Sequence, residues 1–294
     1  MSDRRTTPVN ARVAAAHLAG RVAAPRFVEG EPASVTAGLA DLLAAPGGAR
    51  DRQLLFGEAV TVYERREGWA FVQAATDGYV GYVAEDALGA PARPTHRVAA
   101  RATHLYPAAD MKRRERRALS LGARVVVTGV SGRFAETPGG FVPSCHLAPL
   151  DTPEADPVAV AARLLGTPYL WGGNSAWGID CSGLVQIACT ACGIVCPGDS
   201  DMQEAALGRP LGEDAPLRRG DLLFWKGHVA WVADPETLLH ANAHHMAVTE
   251  EPLREALARI EAQGDGPVTA RKRLGRAATP PPGSAFVRGP GAPS

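Results

Sequence analysis

Net charge is the first thing this chain lacks. Its 294 residues hold 31 Lys and Arg against 31 Asp and Glu. That balance removes the electrostatic case for gripping nucleic acid or an anionic membrane surface. Long apolar runs are also missing: nowhere do about 18 apolar residues follow one another, so no helix is expected to span a bilayer. Met1 to Gly20 has arginines and a brief Val13-Ala14-Ala15-Ala16 run, but not the apolar core of a signal peptide. A cytoplasmic location is therefore the expectation, with export by a route that needs no such signal left open. Cysteine is scarce and odd in number, five in all, with four of them crowded between 181 and 196. That is no disulfide framework of a small secreted fold.

What is present is concentrated in one stretch. Tyr169-Leu170-Trp171-Gly172-Gly173 leads into Gly178-Ile179-Asp180-Cys181-Ser182-Gly183-Leu184-Val185. The glycines mark a tight loop, and from Ser182 the apolar residues Leu184, Val185, Ala188, Cys189, Ala191 and Cys192 recur at helical spacing. Asp180 is the expected N-cap, which puts Cys181 in the first helical turn, where unpaired N–H groups and the helix dipole favour a thiolate.

A nucleophilic sulfur needs a base, and the base usually needs an orienter. Downstream, 220–225 and 228–233 read as apolar strands, Asp234-Pro235-Glu236 as a turn, and Leu238 to Ala243 as the start of a third strand. Across that turn His228 and His240 share a sheet face, and a register shift of about two residues leaves them diagonal neighbours. Cys181, His228 and His240 are thus the candidate nucleophile, base and orienter, with Asn242, His244 and His245 as alternatives to the third.

These residues resemble the NlpC-type cysteine peptidases of bacterial cell-wall peptides, over roughly 155–275. The resemblance is carried by P-Y-L-W-G-G at 168–173, D-C-S-G-L-V at 180–185, G-D-L-L-F-W at 220–225, G-H-V-A at 227–230 and L-L-H-A at 238–241. It implies an α+β, papain-like catalytic domain and the triad just named. It also implies the Tyr169 hydroxyl as an oxyanion donor beside the Cys181 backbone N–H.

Ahead of that domain the chain runs as short strands. A pattern from 55–62, 78–83 and 85–88 returns at 119–127, 139–142 and 143–147, an offset of about 61 to 66 residues that suits two tandem β-barrels better than a solenoid. These barrels resemble bacterial SH3 domains. The expected division is a lead-in at 1–33, partly helical, barrels at 34–90 and 91–150, the peptidase domain at 155–275, and a Pro- and Gly-rich disordered tail at 276–294. In the barrels the expected strands are 34–37, 40–43, 58–63, 70–74 and 79–83.

Relatives with this layout cut the bond from γ-D-glutamate to a diamino acid in murein peptides that begin with a free L-Ala. The resemblance therefore implies a pocket for an ammonium group. Asp180 and Ser182 flank the nucleophile and are assigned to it, with Tyr79 from the first barrel and Glu58 as added negative charge. Ser200 belongs to the same set, although Pro197-Gly198-Asp199 stands where relatives often carry Pro-Arg-Asp. A murein-derived peptide is the expected partner. The alternatives are a papain-like amidase or acyltransferase on a non-murein substrate, and a wall-peptide binder with an inactive peptidase domain. No metal or cofactor is expected: Cys189 and Cys192 have zinc-like spacing, but a structural site needs about four ligands and no second pair is near.

Overall fold

The computed structural model of the chain describes residues 3–264 and 266–275. The tail expected at 276–294 lies outside the described residues.

The first part is a seven-stranded antiparallel sheet. Its strands are β1 (Glu31–Val35), β2 (Leu39–Leu43), β3 (Arg50–Leu55), β4 (Ala59–Arg66), β5 (Trp69–Ala74), β6 (Val80–Ala84) and β7 (Leu88–Gly89), in the spatial order β3-β2-β6-β5-β4-β1-β7. Alternating residues supply its core, among them Val60, Val62, Val72 and Val83 with Leu42 and Leu54. Strand β3 is absent from the sequence-based expectation. Arg50-Asp51-Arg52-Gln53 has the letters of a loop, yet it pairs with β2 through Asp41 opposite Gln53 and Leu39 opposite Leu55. This edge strand carries Asp51, Arg52 and Gln53 toward the rest of the molecule.

The lead-in is not helical. Ala14–Ala15 pairs in parallel with Phe27–Val28, with a single 3-10 turn at Ala16–Leu18 between them. Val13, Ala15 and Leu18 pack on Tyr63, Phe71 and Val80 of the first sheet. Burial against that sheet overrides the helix preference of alanine.

Residues 96–149 build three small sheets around Val98, Leu105, Leu119, Val125 and Val142. One strand–turn–strand step recurs in both parts. In the first part β6 runs into a 3-10 turn at Glu85–Ala87 and then β7. In the second part Gly140–Pro143 runs into a turn at Ser144–His146 and then Leu147–Pro149. Cys145, in that second turn, is exposed.

The last part opens with α1 (Pro157–Ala162), capped by the Asp156 carboxylate, which accepts from the Val158 and Ala159 N–H groups, with Pro157 in the first turn. Helices α2 (Cys181–Ala191) and α3 (Ser200–Ala206) follow, then the strands β8 (Asp221–Trp225), β9 (His228–Asp234), β10 (Thr237–Asn242) and β11 (Ala247–Pro252). Helix α4 (Leu253–Ala262) and β12 (Ala270–Arg273) complete it. The sheet order is β12-β8-β9-β10-β11, with the short Arg209–Pro210 strand outside β12. Side chains alternate across this sheet. Leu222, Phe224, Val229, Trp231 and Leu239 face α2, whereas Leu223, Trp225, Ala230, Val232 and Leu238 pack with Ala256 and Ile260 of α4.

A buried polar network fastens the first sheet to α2. Arg52 of β3 pairs with Asp77 at 2.6 Å, both side chains under a tenth exposed. Gln186 of α2 donates to the Asp77 carboxylate at 2.8 Å and to the Cys196 carbonyl at 3.0 Å, and its own oxygen accepts from Arg52. Asp77 also accepts from the Tyr79 N–H at 3.0 Å, so one carboxylate orients both the helix and the tyrosine. Removing one partner of a buried pair leaves the other charge uncompensated. Arg52→Ala is therefore expected to cost about 3–5 kcal/mol in urea unfolding, against well under 1 kcal/mol for an exposed pair such as Arg66–Glu67.

Candidate active site

The loop before α2 is shaped to receive a carboxylate. Gly172 adopts a φ of +68°, and a Cβ there would press within 2.8 Å of the Asp51 carbonyl. Its N–H donates to Asp180 at 2.9 Å. Asp180 caps α2 as expected, accepting from the Gly183 N–H at 2.7 Å and the Ser182 hydroxyl at 2.9 Å. Cys181 follows in the first turn and is buried. Its sulfur lies 4.0 Å from the Gly227 carbonyl and receives the Val229 N–H, so the backbone on both sides of His228 brackets the thiol.

His228 and His240 meet as the shared parity predicts. The β9–β10 register sets Trp231 opposite Leu239, and the His228 Nε2 lies 3.0 Å from the His240 Nδ1. The chain of contacts continues beyond the expected pair. The His240 Nε2 lies 3.0 Å from Glu251 of β11, and Arg259 of α4 donates twice to Glu251, at 2.8 and 2.7 Å. Arg259 and then His240 hold the Glu251 carboxyl well below the usual carboxylate range. Burial keeps His240 neutral. The tautomers follow in sequence. The Glu251 carboxylate accepts the His240 Nε2–H, which leaves the His240 Nδ1 as an acceptor. That acceptor takes the His228 Nε2–H, and the His228 Nδ1 keeps its lone pair for a proton. Glu251 and Arg259 carried no motif in the sequence; their only signal was a position one strand and one helix beyond His240.

The electrostatics depart from the expectation of an ionised sulfur. Burial, then the nearby Asp180 carboxylate, push the Cys181 thiol up to about 12, against the pull of the Val229, Ser182 and Cys181 N–H groups. Burial, then His240, push His228 down to about 3. At neutral pH the resting pair is a thiol and a neutral imidazole. The helix N-terminus favours a thiolate, but desolvation of the charged form outweighs it here. A thiol and a neutral imidazole are the components of general-base catalysis, and the backbone flanking His228 contacts the sulfur.

Beside the sulfur lies a cavity of about 330 Å³ lined by Tyr79, Tyr169, Trp171, Asp180, Ser182 and Ser200, together with Arg4, Arg5, Asp51, Asp199 and Asp201. Tyr169 stays protonated, its pKa raised by burial and then by Cys181 and Asp180, so its hydroxyl can donate. The Tyr79 hydroxyl donates to Asp199 at 3.1 Å. Its neighbour Tyr82 turns the other way, onto Phe71.

Glu58 is not part of this cavity. It is buried behind the first sheet, where it accepts from the Leu55 N–H at 3.0 Å and the Thr76 hydroxyl at 3.3 Å. Besides Asp180, three acids that carry no sequence signal line the cavity: Asp51 comes from the unexpected strand β3, and Asp199 and Asp201 frame the first turn of α3. The departure at Gly198 has a steric reason. A Cβ at 198 would collide with the Arg52 guanidinium, which fills the space beside Tyr79.

Two family models match the chain: the NlpC/P60 family over residues 166–261 and the bacterial dipeptidyl-peptidase SH3 domain over residues 42–88. Dipeptidyl-peptidase 6 of Lysinibacillus sphaericus is 39% identical over 87 residues, covering 29% of this chain and 31% of that one. A γ-D-glutamyl-L-lysine dipeptidyl-peptidase of Bacillus subtilis is 30% identical over 193 residues, covering 59% and 63%. The chain thus spans less than two thirds of either relative. A crystal structure of an NlpC/P60 family protein from Bacillus cereus superposes with a TM-score of 0.69 at 21% identity, covering 83% of this chain and 99% of that one. That likeness concerns the fold.

The resting charge state has a direct readout. A thiol at about 12 gains thiolate as pH rises, about tenfold per unit below its pKa. Iodoacetamide alkylation of Cys181, followed with Cys145→Ser to remove the exposed thiol, should climb through pH 6 to 9 without levelling. A plateau of fast labelling near pH 5 would mean a preformed thiolate–imidazolium pair.

Proposed function

We propose, for a chain that carries an NlpC/P60-family domain behind a bacterial dipeptidyl-peptidase SH3 domain, that it is a cysteine peptidase of murein stem peptides. It hydrolyses the bond from γ-D-glutamate to the diamino acid in peptides with a free N-terminal L-Ala. Recovery of wall fragments in the cytoplasm belongs to the same proposal. The observation that carries it is the joining of two features in one place: a capped, buried thiol bracketed by the backbone on either side of His228, whose imidazole is oriented by His240, and a cavity beside it walled by acids and by Tyr79.

The reaction follows from the groups present. Sγ attacks the γ-carbonyl carbon of the glutamyl residue while the His228 Nδ1 takes its proton. The oxyanion is met by the Cys181 N–H at the start of α2 and by the Tyr169 hydroxyl. His228, now an imidazolium, is stabilised through His240 by the Glu251 carboxylate and gives its proton to the departing amine. Water, deprotonated by the same imidazole, then hydrolyses the thioester.

The amine end is read by Asp180. Asp51, Asp199 and Asp201 are already ion-paired with arginines, whereas Asp180 is held by neutral donors alone. It is the acid of the cavity left to meet an ammonium group. The same carboxylate holds the thiol pKa up, so neutralising it with an ammonium eases formation of the thiolate.

Three outcomes are expected. Cys181→Ala abolishes release of diaminopimelate from L-Ala-γ-D-Glu-diaminopimelate, followed by mass spectrometry, with the melting temperature preserved; activity above a few per cent would overturn the assignment. N-acetylation of the peptide lowers kcat as well as raising KM, because both amine binding and relief of the thiol are lost; equal rates on the two peptides would remove the free-amine claim. Glu251→Ala lowers kcat roughly 10- to 100-fold, the worth of one charge-assisted hydrogen bond, with KM little changed.

A further inference from the structure

Residues 3–7 of the lead-in lie at the cavity. The Thr6 and Thr7 N–H groups bond to the Asp3 carbonyl at 3.2 and 3.0 Å, closing a turn around Arg4 and Arg5, and the Val80 N–H donates to the Arg5 carbonyl at 2.7 Å. Both arginines line the cavity that holds Cys181. Their side chains differ in what they have left to give. Every N–H group of the Arg5 guanidinium is engaged: with Asp3 at 2.7 to 3.1 Å, with Asp199 at 2.7 Å and with Asp201 at 2.9 and 2.7 Å. Arg5 is a fixed wall, tying the lead-in to the first turn of α3. Arg4 instead makes one fork onto Asp51, at 2.8 and 2.9 Å. Its Nε–H and the outer N–H of each Nη have no partner among the described residues, and its side chain is 61% exposed.

The cavity therefore offers an acid without an ion-pair partner, Asp180, and a cation with donors to spare, Arg4. We propose that Arg4 is a carboxylate-binding residue of the substrate pocket, recognising the free α-carboxylate of a γ-linked glutamyl residue. This deepens the reading above and rests on it. A γ-glutamyl unit keeps its α-carboxylate beside the scissile carbonyl, whereas an ordinary α-linked peptide has none there. A ligand with an ammonium group at one end and that carboxylate further on addresses both, Asp180 through its charge and Arg4 through the donors that its pair with Asp51 leaves over. Arginine suits the second role because its planar donors address a carboxylate in a fork, which a lysine ammonium cannot reproduce.

The test uses full-length protein carrying Cys181→Ala, which binds without cutting. Calorimetry with L-Ala-γ-D-Glu and with its glutamyl α-amide should show tighter binding of the free acid. Arg4→Ala added to this protein should remove roughly 10- to 100-fold of that preference, leave the amide affinity unchanged, and keep the melting temperature, with Arg4→Lys falling between. A preference for the acid that survives Arg4→Ala, or an equal loss for acid and amide, would overturn the site. Failure of the two readings is separable. Arg4-dependent binding of the acid with no turnover by the wild-type chain would sink the peptidase reading and leave the carboxylate site standing. Turnover with an acid preference indifferent to Arg4 would do the reverse.

Discussion

The structure turns on a hydrogen-bond chain anchored outside the cavity. Arg259 fixes Glu251, Glu251 fixes the tautomer of His240, and His240 fixes that of His228. Each link runs between different elements, from α4 through β11 and β10 to β9. The strand pairing consequently sets the tautomers of both imidazoles. Had the β9–β10 register moved by a single residue, one histidine would have crossed to the α2 side of the sheet, away from Glu251 and Arg259, and the lone pair now kept at the His228 Nδ1 would have no reason to stay there. The alternation that packs α2 on one face and α4 on the other thus also sets the acid–base chemistry.

The second constraint is the docking of the first sheet onto α2. The Arg52–Asp77–Gln186 cluster is buried, and its geometry delivers Tyr79 and Asp51 to the same cavity as Cys181. Breaking it would loosen one wall of the pocket and the helix that carries the nucleophile together. Gly198 shows the same economy of space, since the guanidinium of Arg52 occupies the volume that a side chain there would need.

Local chemistry and periodicity made part of this legible in the sequence. Asp180 caps a helix that begins at Cys181 because cap preference and apolar spacing agree there. His228 and His240 meet because parity along a strand survives a register error of two. What stayed hidden depended on contacts across the chain. Strand β3 is built of Arg50-Asp51-Arg52-Gln53, residues that favour a loop until a neighbouring strand and a buried partner hold them. Arg5 reaches Asp199 across 194 residues, a juxtaposition no motif encodes. Glu58 has the right charge and lies in the right part of the chain, but the turn ahead of β4 buries it against the Leu55 N–H and the Thr76 hydroxyl. The resting charge of Cys181 departs from the sequence expectation for a related reason. A helix N-terminus is visible in sequence, whereas the depth at which the sulfur sits is not.

That neutral resting state bears on how selectivity and rate are joined. A buried thiol opposed by a nearby carboxylate is a poor nucleophile toward any passing amide. On the proposed reading, the carboxylate that opposes ionisation is also the partner of the substrate's ammonium group. A peptide lacking a free amine would then meet a sulfur still suppressed by Asp180, even when its carbonyl is well placed. The correct peptide cancels the opposing charge as it binds, and binding energy at the amine end is expressed in the chemical step rather than in affinity alone. Specificity built in this way needs no moving lid. It follows from a carboxylate placed within reach of both the nucleophile and the substrate's first residue.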